Sequence, residues 1–493
     1  MRTSGILMPI FSLPSNGGIG TLGKEAYRFV DFLNKSGQSW WQILPLSPTN
    51  FGDSPYQSFS SYAGNPYFID PEILIEEGLL TGEEFNFFDF GDNNLKIDYG
   101  KLYENRIKML KIAFSRFVED IEYKTFISDN AIWLDEYALF MALKNVNNDA
   151  SWDTWENSFK FREEKVIAKF KEEQTYLINF YKFVQFKFFS QWFKLKAYAN
   201  EKGIGIIGDI PIYVAYDSVD VWSEPVQFSL DKDLKPKAVA GCPPDYFSPK
   251  GQLWGNPLYN WPFMKRDSYC WWKRRMGWAL KLYDVVRIDH FRGFESYWAI
   301  PFGEKTAENG KWQKGPNLAL FNAIKKDFGQ NLPIIAEDLG FLTQEVLKMV
   351  EKSGFPGMKV LQFAFTPDAE SDYLPHNFNK NSVVYTGTHD DDTILGWAKT
   401  ATKDELDFAL KYMSLNSIDT INWAMMRTAM MSVADTCILT MQDAVGLDSV
   451  GRINTPSTLG DNWQWRIDGS FINDWLANIL LDLTEISFRT PKI

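Results

Sequence analysis

The sequence predicts an α/β protein built as a (β/α)8 TIM barrel, with inserted helical subdomains and long loops. Three stretches carry the prediction. Residues 286–293 (VRIDHFRG, preceded by Val285), 333–340 (PIIAEDLG) and 383–390 (VVYTGTHD) are short apolar runs that end in ionisable residues. Such barrels build their sites from residues at the C-terminal ends of several strands, which is where these acids fall. The spacing also fits βα units. Asp289 and Glu337 are 48 residues apart, Glu337 and Asp390 are 53 apart, and a further strand pattern lies between at 358–365 (MKVLQFAF).

The other elements follow in chain order. The apolar run 5–11 is at the shortest end for a signal-peptide core; Ser12, Pro14 and Ser15 break it, and no small-residue cleavage site stands out. Residues 18–23 (GIGTLG) match G-x-G-x-x-G, but no compact βαβ unit surrounds them and no acid occurs between Asp31 and Asp53. They read as a loop capping helix 24–35. After the turn at Gly37, residues 39–46 (SWWQILPL) are expected to form the first barrel strand, and 52–59 (GDSPYQSF) a loop of turn-forming residues. Segments 103–117, 134–143 and 177–201 show apolar residues at i, i+3, i+4 spacing, so a largely helical insertion is expected around 74–203. Strand three falls at 204–214 and carries Asp209.

Residues 241–257 (GCPPDYFSPKGQLWGNP) are dense in Pro, Gly and aromatics, which excludes a helix or a central strand and predicts a long, functional loop. Residues 436–443 read as the eighth strand, and a closing helix is expected near 471–483. The chain is thus expected to be one catalytic unit over 1–493, with no room for a β-sandwich after the barrel.

Composition narrows the function. The net charge of −12 argues against nucleic acid, whose phosphates require clustered cations. Cys242, Cys270 and Cys437 lack the number for a disulfide framework and the spacing of a metal site, which suits a reducing cytoplasm. No apolar run approaches the roughly 18 residues of a membrane helix, so no membrane partner is expected. Hydrophobic residues make up 45 %, enough for a large core, and the aromatic content of 16 % with 19 Trp leaves rings to spare for loops. Sugar C–H faces lie flat on such rings.

Arg287 and Asp289 are two apart on a strand and therefore share a face. A fixed cation beside a carboxylate favours its ionised form, which a nucleophile needs. Taken alone, the octet fits a structural Arg–Asp pair equally well. Together the three acid-tipped blocks resemble the nucleophile, acid/base and third-carboxylate motifs of α-amylase-type α-glucan enzymes. The run 385–393 (YTGTHDDDT), with the 241–257 loop, is similar to the amylomaltase, or 4-α-glucanotransferase, branch specifically.

The resemblance spans residues 18–466 and implies Asp289 as nucleophile, Glu337 as acid/base and Asp390 as third carboxylate. It implies substrate contacts at Arg287, His290, His389, Tyr56 and Asn454, and at Asp245, Gln252 and Trp254 of a lid-like loop with Trp254 at its tip. Asp209 resembles a structural and substrate-orienting residue. The partners implied are α-1,4-glucans or maltooligosaccharides, and no cofactor or metal is implied. Asp390–Asp392 reads as the site acid followed by acids at a helix N-terminus, where they are favourable. Asp391 and Ile453 depart from the usual Asn and Met. A hydrolase would use the same three acids, whereas a silent binding protein would be expected to have lost one.

Overall fold

The computed structural model describes residues 2–244, 248–340, 342–366 and 371–491. Its strands in chain order are β1 (Thr3–Leu7), β2 (Trp40–Gln42), β3 (Gly205–Pro211), β4 (Ala238–Cys242), β5 (Gln252–Pro257) and β6 (Val285–Asp289), then β7 (Ser296–Pro301), β8 (Lys311–Lys314), β9 (Ile334–Ala336), β10 (Gly357–Val360), β11 (Ser382–Tyr385) and β12 (Thr436–Thr440). Eight of these close into a barrel in the order β1-β12-β11-β10-β9-β6-β3-β2. The barrel pairs are parallel, and β1 closes on β12 from Thr3↔Thr436 to Leu7↔Thr440. Strands buried on both faces need continuous rather than alternating apolar residues. Ile206–Ile207, Ile334–Ile335, Val383–Val384 and Ile438–Leu439 supply them, all nearly inaccessible.

The first barrel strand is Thr3–Leu7, not 39–46. That later stretch contributes only Trp40–Gln42, as the second strand. A buried terminal strand and a short signal core have the same apolar composition, which hid β1 within the 5–11 run. The expected strand at 358–365 stops at Val360 and turns into a 3-10 helix at Leu361–Phe363.

The second correction concerns 241–257. Most of it is a β-hairpin: β4 and β5 pair antiparallel through Gly241↔Leu253 and Cys242↔Gln252, with a register shift beside Gly241. With β7 and β8 they form a small sheet ordered β5-β4-β7-β8. Because β5 is an edge strand, its proline and glycine are tolerated where a central strand would refuse them. Gly241 is required for close approach, since a Cβ there would collide with the Gln252 carbonyl.

Helix α1 (Lys24–Lys35) buries Ala26, Phe29, Val30 and Leu33 on one face, as its spacing predicts. In the loop before it, Gly20 packs directly on the Ile10 carbonyl and Gly18 has φ +76°. Helices α2 (Tyr99–Arg116), α3 (Ile121–Val146) and α4 (Thr175–Glu201) form the expected helical region; α4 packs on α3 and reaches the barrel at β3. The remaining helices used below are α5 (Leu318–Phe328), α6 (Ile394–Thr400) and α7 (Asp474–Ile486).

The β1–β12 seam carries its own clamp. Arg489, just past α7, is fully buried and donates to the carbonyls of Met430 (2.8 Å), Thr3 (2.9 Å), Ala434 (2.9 Å) and Asp435 (3.1 Å). Replacing it by Met keeps most of the volume but removes a donor from each of these carbonyls, of which Met430 keeps Arg2 and Asp435 keeps the Thr3 N–H. Arg489→Met is expected to destabilise the protein by about 2–4 kcal/mol. A thermal melt checks this; an unchanged melting temperature would show the seam closes without the clamp.

Candidate active site

Three neighbouring barrel strands, β3, β6 and β9, deliver charged groups to one end. The registers Asp209↔Arg287 and Pro211↔Asp289 place β3 beside β6, and Ile288↔Ala336 places β6 beside β9. One step further, Asp289 stands next to Glu337, on strands about 4.8 Å apart. Arg287, only 4 % exposed, joins the set: Nη1 donates to Asp209 Oδ2 at 2.6 Å and Nη2 to Asp289 Oδ1 at 2.9 Å. Burial works against its charge, but Asp209 and Asp289 hold the guanidinium well above the usual arginine range.

Asp209 does not face the groove. It is buried, and its Oδ2 also accepts from the Tyr56 hydroxyl at 2.8 Å. Burial pushes this carboxyl up to about 7, against the pull of Arg287. Its contacts are those of a residue that positions Arg287 and Tyr56, rather than one that meets substrate.

Glu337 has a different environment. Its Oε1 accepts from the Leu339 N–H at 2.8 Å and its Oε2 from the His290 N–H at 2.6 Å. His290 aims that N–H by adopting a left-handed backbone, φ 52°. Burial first and the Asp289 charge second push the Glu337 carboxyl up to about 8, outweighing both donors. Two adjacent carboxyls thus differ: one is bonded to an arginine, the other is held protonated at neutral pH.

Asp390 accepts from Asn454 Nδ2 at 2.6 Å, and its backbone carbonyl accepts from Arg452 Nη2 at 3.0 Å. Enclosure raises its pKa, while 44 % of the side chain stays open to the groove. His389 stacks on Tyr56 with centroids 5.1 Å apart, and its Nε2 lies 3.4 Å from Asp390 Oδ1. Burial drives both His389 and His290 down to about 3, so both imidazoles are neutral hydrogen-bonding groups. Asp391 turns away: its carboxylate accepts from the Thr388 N–H (2.7 Å) and hydroxyl (2.8 Å), bracing the turn before Thr393 caps α6.

These groups open into a groove of about 1330 Å³ lined by Asp289, Asp390, His389, Tyr56 and Asn454 on one side and by the hairpin on the other. Trp254 is not at a loop tip. It sits on β5, its ring edge-on to His290 at 4.8 Å and its Nε1 donating to Gln252 Oε1 at 3.0 Å. Asp245 lies outside the described residues.

Several groove residues had no sequence assignment. Trp463 lies 5.9 Å from both Tyr56 and His389; the aromatic pair in 462–466 was its only signal. Gln57 reaches across to the Trp254 carbonyl and Asn256. Lys305 and Thr306 enter from between β7 and β8, a segment with no motif. Asp443 holds the His389–Asp390 loop from beneath by accepting from the Thr386 hydroxyl and the Ile394 N–H. Among the described residues, no group of three or more His, Cys, Asp or Glu is arranged to hold a metal.

Fold and site together define a (β/α)8 enzyme with a cluster of carboxyls at the C-terminal mouth of the barrel. The sequence profile described as 4-alpha-glucanotransferase matches residues 8–471, and the chain belongs to that family. A 4-alpha-glucanotransferase of Clostridium butyricum is 52 % identical over 486 residues, covering 98 % of this chain and all of the relative. One of Streptococcus pneumoniae is 48 % identical, covering 99 % of this chain and 97 % of the relative. Among solved structures, an amylomaltase from Streptococcus agalactiae in complex with acarbose superposes with a TM-score of 0.97 at 41 % identity, each chain fully covered.

Arg287→Met keeps the bulk but leaves Asp209 buried without its cation. Losing one partner of a buried pair is worth about 3–5 kcal/mol. Turnover is expected to fall at least roughly a hundredfold, and steady-state kinetics on correctly folded protein check it; a rate within a few-fold of wild type would remove Arg287 from the machinery.

Proposed function

We propose that the chain is a retaining transferase that moves an α-1,4-glucan segment from a donor maltodextrin to the 4-OH of glucose or another maltodextrin. The observation that carries this is the contrast between Asp289, bonded to Arg287, and Glu337, held protonated beside it. Retention needs a nucleophile and an acid about 5–5.5 Å apart, and adjacent strand ends supply that order of separation. In the first half, Asp289 attacks the anomeric carbon while Glu337 protonates the glycosidic oxygen, and the reducing-end fragment leaves. In the second, the acceptor 4-OH attacks that carbon, Glu337 takes the proton of that hydroxyl, and Asp289 is released. One α-1,4 bond breaks and one forms.

The remaining groups follow from position. Asp390, held by Asn454, binds ring hydroxyls and favours the distorted, oxocarbenium-like sugar. Neutral His290 and His389 hydrogen-bond substrate hydroxyls, and Tyr56 with Trp463 offers faces for sugar rings. Transfer requires that water be kept from the glycosyl-enzyme. The hairpin strand bearing Gln252 and Trp254 walls the groove next to Asp289 for this purpose. We read the whole chain as one catalytic unit of maltodextrin metabolism. We place it in the cytoplasm, in keeping with thiols kept at Cys270 and Cys437; among the described residues no helix is long and apolar enough to cross a membrane.

Incubation with maltotriose tests the reading. A ladder of longer maltodextrins plus glucose is expected, and Asp289→Asn should abolish it together with the trapped covalent intermediate. Conversion to glucose and maltose alone would make the enzyme a hydrolase. Trp254→Ala is expected to raise hydrolysis relative to transfer several-fold, read as reducing-end release against chain elongation; an unchanged ratio would exonerate Trp254. Glu337 must begin each cycle protonated. Its proton is present below its pKa of about 8 and lost above it, so kcat/KM should fall on the alkaline side with a midpoint near 8. A profile flat to well above that value would exclude Glu337 as the acid.

A further inference from the structure

A second groove, of about 1780 Å³, shares no lining residue with the catalytic one. It runs between the small sheet and the start of α5 and is lined by Lys237, Lys265 and Lys314 with no acidic residue. In a chain of net charge −12 that is a concentrated exception. The buried carboxylate of Glu295 accounts for Lys314, at 2.6 Å. Lys237 and Lys265 form no ion pair among the described residues.

Two further observations point to a ligand. Trp261 and Tyr269 line the groove and are more than nine-tenths buried, at 8 % and 5 % exposed. Among the described residues neither Nε1 nor the hydroxyl donates to another protein group, although both residues line the groove. Gly315, Pro316 and Ala319 also bring the N-terminus of α5, eleven residues long, to the same space. Its first N–H is used by the Asn317 side chain, but the helix end still adds positive potential.

A wall of donors and cations without an acidic acceptor suits an oxygen-rich anion. The volume far exceeds a lone phosphate. Ser229 and the Gln313 amide nitrogen line the same space, polar groups of the kind that meet sugar hydroxyls. We infer that this groove binds a phosphorylated sugar, with Lys237 and Lys265 on the phosphate and Trp261 and Tyr269 donating to the remaining oxygens.

Calorimetric titration of the full chain with glucose 6-phosphate, and separately with inorganic phosphate, tests this. Saturable binding of the ester is expected, tighter than that of phosphate, and weakened at least roughly tenfold in K237A/K265A. The double variant should still disproportionate maltotriose at the wild-type rate, showing that it folds; the single substitutions K237Q and K265Q repeat the titration with less perturbation. No saturable heat with the ester would overturn the inference. So would equal ester affinity in variant and wild type, which would place the ester elsewhere, or phosphate binding as tightly as the ester, which would leave an anion site without sugar recognition.

Discussion

The site depends on one buried cation. Arg287 sits at the third position of a five-residue strand, almost fully removed from water, with Asp209 on one side and Asp289 on the other. Removing a guanidinium from water is costly, and only well-placed carboxylates offset it. The arrangement is not tuned for stability: Asp209 keeps a buried Oδ1 with no partner among the described residues. Strain of this kind concentrates where chemistry needs a fixed field. One guanidinium orders three groups at once, because Asp209 in turn holds the Tyr56 hydroxyl that frames the groove.

The barrel is what makes that geometry reproducible. Parallel pairing sets Asp209 opposite Arg287, and a slip of one residue would turn every one of these side chains to the other face. The same register brings Glu337 beside Asp289, where the charge of one raises the pKa of the other. The two carboxyls are thereby separated by environment, not by residue type: an arginine holds Asp289, and burial with a neighbouring charge protonates Glu337.

Much of this was legible in the sequence because it is local. Arg287 and Asp289 share a face by strand periodicity, and the acid-tipped runs 286–293, 333–340 and 383–390 announce their strands through composition. Contacts made across the chain were not legible. Asp443 supports Asp390's loop from 49 residues beyond Ile394, and Lys305 reaches the groove from a segment without a motif. Arg489 closes a seam 486 residues from Thr3. Two local readings also failed for physical reasons. The run 5–11 was not read as a strand, so 39–46 took the first place, and Pro- and Gly-rich composition describes an edge strand as well as a loop.

The second failure bears on transfer. A lid must close before it excludes water, and closure takes a share of binding energy. Here Leu253 and Gln252 are paired to β4, and the Trp254 carbonyl is tethered by Gln57 from the opposite wall. The ring meets His290, whose N–H is bonded to Glu337. The hairpin side of the groove is therefore built on sheet hydrogen bonds and tied through His290 to Glu337. An acceptor sugar long enough to span that wall gains contacts that a water molecule lacks. The water exclusion we propose therefore falls to β5 rather than to the carboxyls, which transfer and hydrolysis share.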